Sequence, residues 1–337
     1  MAYHFRNLVF EGGGVKGLAY LGAMKVLQRK GILDAIRRVG GTSAGAINAA
    51  LYAIGYTNTE QRRIMYEVDF ECFKDDSWGA LRDSQRLMRE FGWYKGDYFH
   101  AWISELIAAR QGSPDLSFGQ LHEQGRPDLY VCGTNLCTGF SEVFSWEHTP
   151  EMKIADAVRI SMSLPLFFAA VRNARRDVYV DGGLLDSYPV KLFDREKYIS
   201  AERRHCMARH TDYYAWANRQ AESGRYVYNK ETLGLRLDSR QEIAMYRYGA
   251  APQHRQIDSF VDYVRCLVNT LVESQANAHL HSDDWQRTIY IDTQGVRATD
   301  FSLSDSQKQA LERSGEQGTQ EYFAWFDDTA NRPVNRP

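Results

Sequence analysis

Nowhere does the chain hold about 18 consecutive apolar residues, the length a transmembrane helix needs. Contact with a membrane is therefore expected to be peripheral. Cysteine is sparse: Cys72, Cys132, Cys137, Cys206 and Cys266 are scattered, odd in number and without metal-ligand spacing. That pattern fits reduced thiols and gives no reason to expect zinc, another metal or a cofactor. Neither sign of charge dominates, with 41 Lys and Arg against 43 Asp and Glu. Without a global basic field, nucleic acid is not an expected partner. The opening residues, MAYHFRNLVFEGGG, lack the apolar stretch and cleavage site of a signal peptide. The expectation is a cytoplasmic chain, peripheral to a membrane at most, or one exported by a route without a cleavable signal. No internal repeat is found.

What is present suits a globular protein: 337 residues, 44% apolar and 25% charged, enough for one large α/β domain or two modest ones. Leu8 to Phe10 reads as a strand that breaks at Gly12, Gly13 and Gly14, before a helix bearing Leu18, Leu21, Met24 and Leu27. Arg38 to Gly40 reads as a second strand, running into an apolar and therefore buried helix with Ile47, Leu51 and Ile54. Thr57 and Glu60 have capping-box spacing, Asp97 is placed to cap a helix, and Thr149-Pro150 to open another. Leu129 to Gly133, Phe140 to Phe144 and Asp177 to Val180 read as strands. This alternation predicts a mostly parallel sheet covered by helices on both faces. Further on, the spacing predicts a helix over 257–272, a strand over 288–292, a helix over 304–313 and a frayed tail over 331–337.

Three glycine motifs carry chemistry. Gly41-Thr42-Ser43-Ala44-Gly45 fits a nucleophile elbow, in which flanking glycines let a tight turn lift a serine from a strand onto a helix N-terminus. A buried serine N-cap is the plain alternative. Gly12 to Gly17 reads GGGVKG and satisfies the dinucleotide-binding string. The acid which that fingerprint wants after the next strand is missing, because that strand runs into the elbow. Successive glycine N–H groups suit an oxyanion hole instead. Lys16 adds positive potential there or forms a surface ion pair. Asp181-Gly182-Gly183 is a weak string, valuable because its acid ends a buried strand, where ligands gather in open α/β sheets.

GGGVKG, GTSAG and a distant DGG, in that order, resemble the patatin-like phospholipase family. SMSLPLFF (Ser161 to Phe168) looks like the segment before the family's catalytic strand, and TLGLRLD (Thr232 to Asp238) and FSLSDSQKQAL resemble bacterial members. The resemblance implies a three-layer α/β/α patatin-like fold and a Ser-Asp dyad without histidine. Ser43 is then the nucleophile, Asp181 the base, and Gly12, Gly13 and Gly14 the oxyanion donors. Lys16 and Gly17 complete the first motif, and Gly182 and Gly183 the last. Glu11 stands where plant-type members have aspartate, and Ser187 where many have asparagine.

The implied activity is hydrolysis of fatty-acyl esters, of phospholipase A or lysophospholipase type, on phospholipid or another acyl ester. Two alternatives remain: an α/β-hydrolase with a Ser-Asp-His triad, drawing on His205, His210, His254, His279 or His281, and a non-catalytic lipid-binding signalling module. Residues 6–194 correspond to the catalytic domain, and 231–330 to a helical elaboration packed on it. Residues 195–230, rich in Arg and aromatics, suit either a solvated insertion or a cover or docking surface open to an activating protein or small-molecule signal.

Overall fold

The computed structural model describes residues 3–75, 87, 89–220, 224–239, 256–258, 263, 266–267, 270 and 283–337. The strands are β1 (Asn7–Phe10), β2 (Arg38–Gly41), β3 (Gly92–Tyr94), β4 (Asp128–Asn135), β5 (Phe140–Phe144) and β6 (Leu166–Phe168). They continue as β7 (Val171–Arg172), β8 (Val178–Asp181), β9 (Ala208–Arg209), β10 (Tyr228–Asn229), β11 (Thr232–Asp238) and β12 (Thr288–Asp292). The main helices are α1 (Tyr20–Arg29), α2 (Ala44–Ala53), α3 (Asn58–Glu67), α4 (Asp97–Gln111), α5 (Ile154–Ser161) and α6 (Asp305–Asp327). No described helix is long and apolar enough to cross a membrane.

The central sheet runs β12-β11-β1-β2-β4-β8-β7, with β5 also paired to β4. The β12-β11-β1-β2-β4 pairs are parallel, while β5 and β8 join β4 antiparallel. Alternation along β1 shows both faces covered. Leu8 and Phe10 enter the large core with α1 and α2, and Val9 enters a second cluster with Tyr130, Phe193 and Tyr198. The long helices therefore make one outer layer, and the segment after β8 covers the other face with short helical turns. This is the expected three-layer α/β fold.

Local capping rules account for two of the six helix starts. Thr57 and Glu60 form the capping box of α3, and Ser304 and Gln307 that of α6. Asp97 does not cap α4. The N-cap is Gly96, and the Asp75 carboxylate instead accepts the N–H groups of Gly96 and Tyr98, each at 2.8 Å. Thr149-Pro150 likewise precedes a turn, and α5 starts later, after Lys153. The late helix runs past Arg313 to Asp327, because Gly315 and Gly318 are close-approach points and not stops. The tail is not frayed: Asn335 is fully buried and donates to the Tyr322 hydroxyl, and Val334 N–H donates to Gln286. The helix expected over 257–272 falls largely outside the described residues, as do His254, His279 and His281.

The 231–330 stretch is not only helical, since β11 and β12 extend the sheet beside β1. The described residues of 195–230 gather at the end of the sheet where the parallel strands begin. The Tyr198 carbonyl accepts from Arg38, Arg203 pairs with Glu231, and the Met207 carbonyl accepts from Lys230. Buried Arg287 holds the same end, bound to Asp194 and Asp284 at 2.6 Å each.

At the α1–α6 crossing, a Cβ on Gly22 would lie 1.8 Å from the Glu312 carbonyl oxygen, and one on Gly315 the same distance from that of Ala19. Alanine would gain about 1 kcal/mol of helix propensity, but overpacking against rigid backbone costs up to about 3 kcal/mol. Gly315→Ala should therefore destabilise the protein by about 1–2 kcal/mol, seen as a lower denaturation midpoint at unchanged m-value. An unchanged midpoint would refute the close crossing.

Candidate active site

Ser43 sits between β2 and α2 with φ 54° and ψ −126°, a conformation that L-residues adopt only under strain. The flanking glycines permit it. A Cβ on Gly41 would lie 2.5 Å from the Gly45 carbonyl carbon, and one on Gly45 would lie 2.4 Å from the Phe10 carbonyl oxygen. The elbow is thus folded onto the end of β1. The Ser161 hydroxyl tethers it from below, accepting Ser43 N–H at 2.9 Å and donating to the Cys132 carbonyl at 2.6 Å.

Asp181 reaches Ser43 through strand pairing. β5 pairs with residues 131–135 of β4, whereas β2 pairs with 128–131 and β8 with 133–135. Both β2 and β8 share β4 residues with β5, so both must lie on β4's other edge. β2 ends there at Gly41, opposite Val131, and β8 takes over with Asp181 opposite Gly133. The base is therefore set just beyond the strand from which the serine departs. Gly182 closes the junction, since a Cβ there would lie 2.4 Å from the Cys132 carbonyl oxygen.

Burial pushes the Asp181 pKa up to about 7, opposed by the Gly183 N–H at 2.7 Å and by hydrogen bonding from the Ser43 hydroxyl. The same hydroxyl also lies 3.5 Å from Met162 Sδ. Among the described residues no imidazole interacts with Ser43 or Asp181. His205 and His210 lie in the segment at the opposite end of the sheet.

The glycine loop divides its tasks. Gly12 N–H already donates to the Ser187 carbonyl at 2.9 Å, so it is not an oxyanion donor here. Gly12 matters for space, because a Cβ on it would lie 3.2 Å from the Ser43 Cβ. Among the described residues nothing accepts the N–H groups of Gly13, Gly14 or Ala44, the last at the N-terminus of α2. Gly14 has φ +57°, and a Cβ would lie 2.0 Å from the Ala298 carbonyl oxygen. Gly17 lets the loop approach α2, since a Cβ on it would lie 3.1 Å from the Ala44 Cβ.

Glu11 anchors this loop. Its carboxylate accepts Leu237 N–H at 2.6 Å, a bond across to β11. Burial pushes its pKa upward, with Arg236 opposing. Lys16 pairs with no carboxylate among the described residues, but its charge also lowers the Glu11 pKa. Thr42 donates to the Asp186 carbonyl at 2.9 Å and ties the elbow to the turn after Asp181. No group of His, Cys, Asp and Glu among the described residues is arranged to hold a metal.

The sequence did not single out Ser161 or the Ala44 N–H. Ser161 was visible only as a member of SMSLPLFF, and its two bonds join segments far apart in the chain. The surroundings of the expected cover are also informative: the described residues of 195–230 lie at the end where β1, β2 and β11 begin, whereas Ser43 lies where they end. That position does not suit a cover over Ser43.

Comparison with known proteins agrees with this fold. The chain is 29% identical over 325 residues to the uncharacterized protein YqhO of Bacillus subtilis (strain 168), covering 93% of this chain and 96% of that one. It is 24% identical over 193 residues to the probable lipid hydrolase 463L of Invertebrate iridescent virus 6, covering 56% of this chain and 63% of that one. The crystal structure of VipD from Legionella pneumophila superposes with a TM-score of 0.57 at 17% identity, covering 96% of this chain and 67% of that one. The profile of the patatin-like phospholipases matches residues 8–194, more than half of the sequence, and so the chain belongs to the patatin-like phospholipase family and is a lipid acyl hydrolase.

Proposed function

We propose that the chain cleaves fatty-acyl esters of phospholipids, as a phospholipase A or lysophospholipase, through a Ser43–Asp181 dyad and an acyl-enzyme. The observation that carries this reading is the strained Ser43 held beside a buried Asp181 whose pKa is raised to about 7. An ordinary aspartate is too weakly basic to draw a proton from a serine near neutrality. Burial makes Asp181 a better base while leaving about half of it ionised at its pKa.

Asp181 takes the Ser43 proton as Oγ attacks the ester carbonyl. The tetrahedral oxyanion is met by the N–H groups of Gly13, Gly14 and Ala44, with the α2 dipole adding to their field. Protonated Asp181 then donates to the departing alcohol. Water, deprotonated by the same carboxylate, hydrolyses the acyl-enzyme and restores Ser43. The glycine motif thus supplies oxyanion donors, the elbow the nucleophile and a further donor, and the acid motif the base. Peripheral contact with the lipid surface accompanies this chemistry, since the acyl chains reside there.

Ser43→Ala should lose at least about 1,000-fold in turnover of a short-chain ester, and Asp181→Asn nearly as much, because the two act as a unit. Alanine at each late histidine should cost far less; a histidine matching Ser43 would replace the dyad with a triad. Ser161→Ala should lower kcat with little change in KM, since it loosens the nucleophile and not the substrate site. Equal losses in both parameters would argue against a positioning role.

The pH dependence follows from the ionised form of Asp181 being the base. The kcat/KM should fall as pH drops below about 7, with the limb absent from residual Asp181→Asn activity. Stability runs the other way. A carboxyl with a raised folded pKa stabilises the fold below its ordinary pKa, and that contribution is lost as pH rises through about 7. Asp181→Asn should therefore be more stable than wild type at pH 8, with the gap closing toward pH 4. A gap that is constant with pH would contradict the raised pKa.

A further inference from the structure

The side of the sheet that holds Ser43 also carries a rim not used by the chemistry. β2 pairs with β4 only as far as Val131, but β4 continues to Asn135 and turns into β5 at Phe140. At about 3.3 Å per residue, this hairpin tip stands about 13 Å beyond the end of β2. It carries Leu136 and Phe140, which are 49% and 72% exposed. The β7–β8 turn lies alongside, with Leu136 N–H donating to the Val178 carbonyl at 2.9 Å. β3 and β6 complete the rim, and their paired ends present Phe91 and Leu166 at 44% and 42% exposure. Leu166 follows closely on Met162, the neighbour of the Ser43 hydroxyl.

Two features separate this rim from ordinary scattered surface residues. Five non-glycine residues have positive φ among those described, and three of them, Phe91, Leu166 and Arg176, lie here. Holding bulky apolar side chains in the left-handed region while they point to solvent costs free energy with no gain in core packing. The rim also presents cations to solvent. Arg172, Arg175 and Arg176 are exposed, and none pairs with a carboxylate among the described residues. The Arg172 guanidinium lies 5.4 Å from the Phe91 ring centroid. The neighbouring carboxylates keep their charge but take neutral donors, Glu142 from Asn135 and Tyr179 and Asp177 from Asn173, and neither pairs with the three guanidinium groups.

We propose that this rim, formed by Phe91, Leu136, Phe140, Arg172, Arg175 and Arg176, seats the enzyme on an anionic lipid surface, with the Ser43 side of the sheet facing the membrane. The inference rests on the lipid-hydrolase reading. Apolar tips enter the interface while the arginines meet anionic headgroups, so binding weakens as salt screens the charges. The segment 195–230 plays no part in this seat, since it lies at the opposite end.

Two variants test it, Phe91→Asn with Leu136→Ser and Phe140→Ser, and Arg172→Gln with Arg175→Gln and Arg176→Gln. Asparagine is chosen at 91 because it tolerates positive φ. Binding is measured by co-sedimentation with phosphatidylglycerol and phosphatidylcholine vesicles, alongside turnover of a soluble short-chain ester and circular dichroism for folding. The expected result is at least about tenfold weaker binding of both variants to phosphatidylglycerol, with soluble turnover within about twofold of wild type. The arginine variant should also lose the wild-type preference for phosphatidylglycerol. Unchanged vesicle binding by both folded variants would overturn the proposal. So would a change in oligomeric state by light scattering without a change in vesicle binding, since the occupant would then be a second copy. Wild-type protein that binds vesicles through the rim but hydrolyses no ester would sink the catalytic reading and leave this one standing. Hydrolysis without any vesicle binding would do the reverse.

Discussion

The site depends on β4 offering one edge to two strands in succession. A strand edge can be satisfied by one partner at a time, so β8 can join only where β2 has stopped. That handover brings the end of β8 to the end of β2, and with it a carboxylate to a serine that lie far apart in the chain. The bond from Ser161 to both Ser43 N–H and the Cys132 carbonyl spans this junction. Without it, the strained elbow would be held only by its glycines and the bond from Thr42 to the Asp186 carbonyl.

The handover also explains why the base is buried. Asp181 ends a strand inside the sheet and is 4% exposed, so its charge is raised in free energy by the same packing that positions it. The protein accepts that local instability where the chemistry needs a stronger base, as functional sites often do. Elsewhere buried charge is compensated. Arg287 is fully buried but lies between Asp194 and Asp284, and Arg236 lies beside Asp238 and Glu11. The contrast is functional: Asp181 has only N–H and O–H partners, and no cation to hold its proton affinity down.

The two ends of the sheet divide the remaining work. Where the parallel strands begin, the 195–230 segment and the C-terminal tail knit the ends together through Arg203, Glu231, Arg287 and Asn335. Where they end, glycine loops leave backbone N–H groups unspent and hairpins carry apolar residues into solvent. Ligands gather at this second end in open α/β sheets, because strand ends and helix N-termini point there.

Much of this was legible in the sequence wherever a residue acts on its own neighbours. The glycines around Ser43, the Thr57–Glu60 capping box and the strand before GGGVKG each impose a local backbone geometry, and each identified its element. Legibility failed where the decisive partner is distant. Asp97 could not announce that Asp75 would take over its cap, and Ser161 could not reveal the two segments it joins. Gly12 reads as a donor until the Ser187 carbonyl is seen to occupy its N–H. The chemical parts, a serine between glycines, unencumbered N–H groups and an acid at a strand end, can be read from the residues alone, because torsional freedom and side-chain chemistry are properties of single residues. Which of those parts meet, and at which end of the sheet the 195–230 segment packs, emerges in the folded chain, because strand pairing between distant residues is a choice among competing edges that no local window contains.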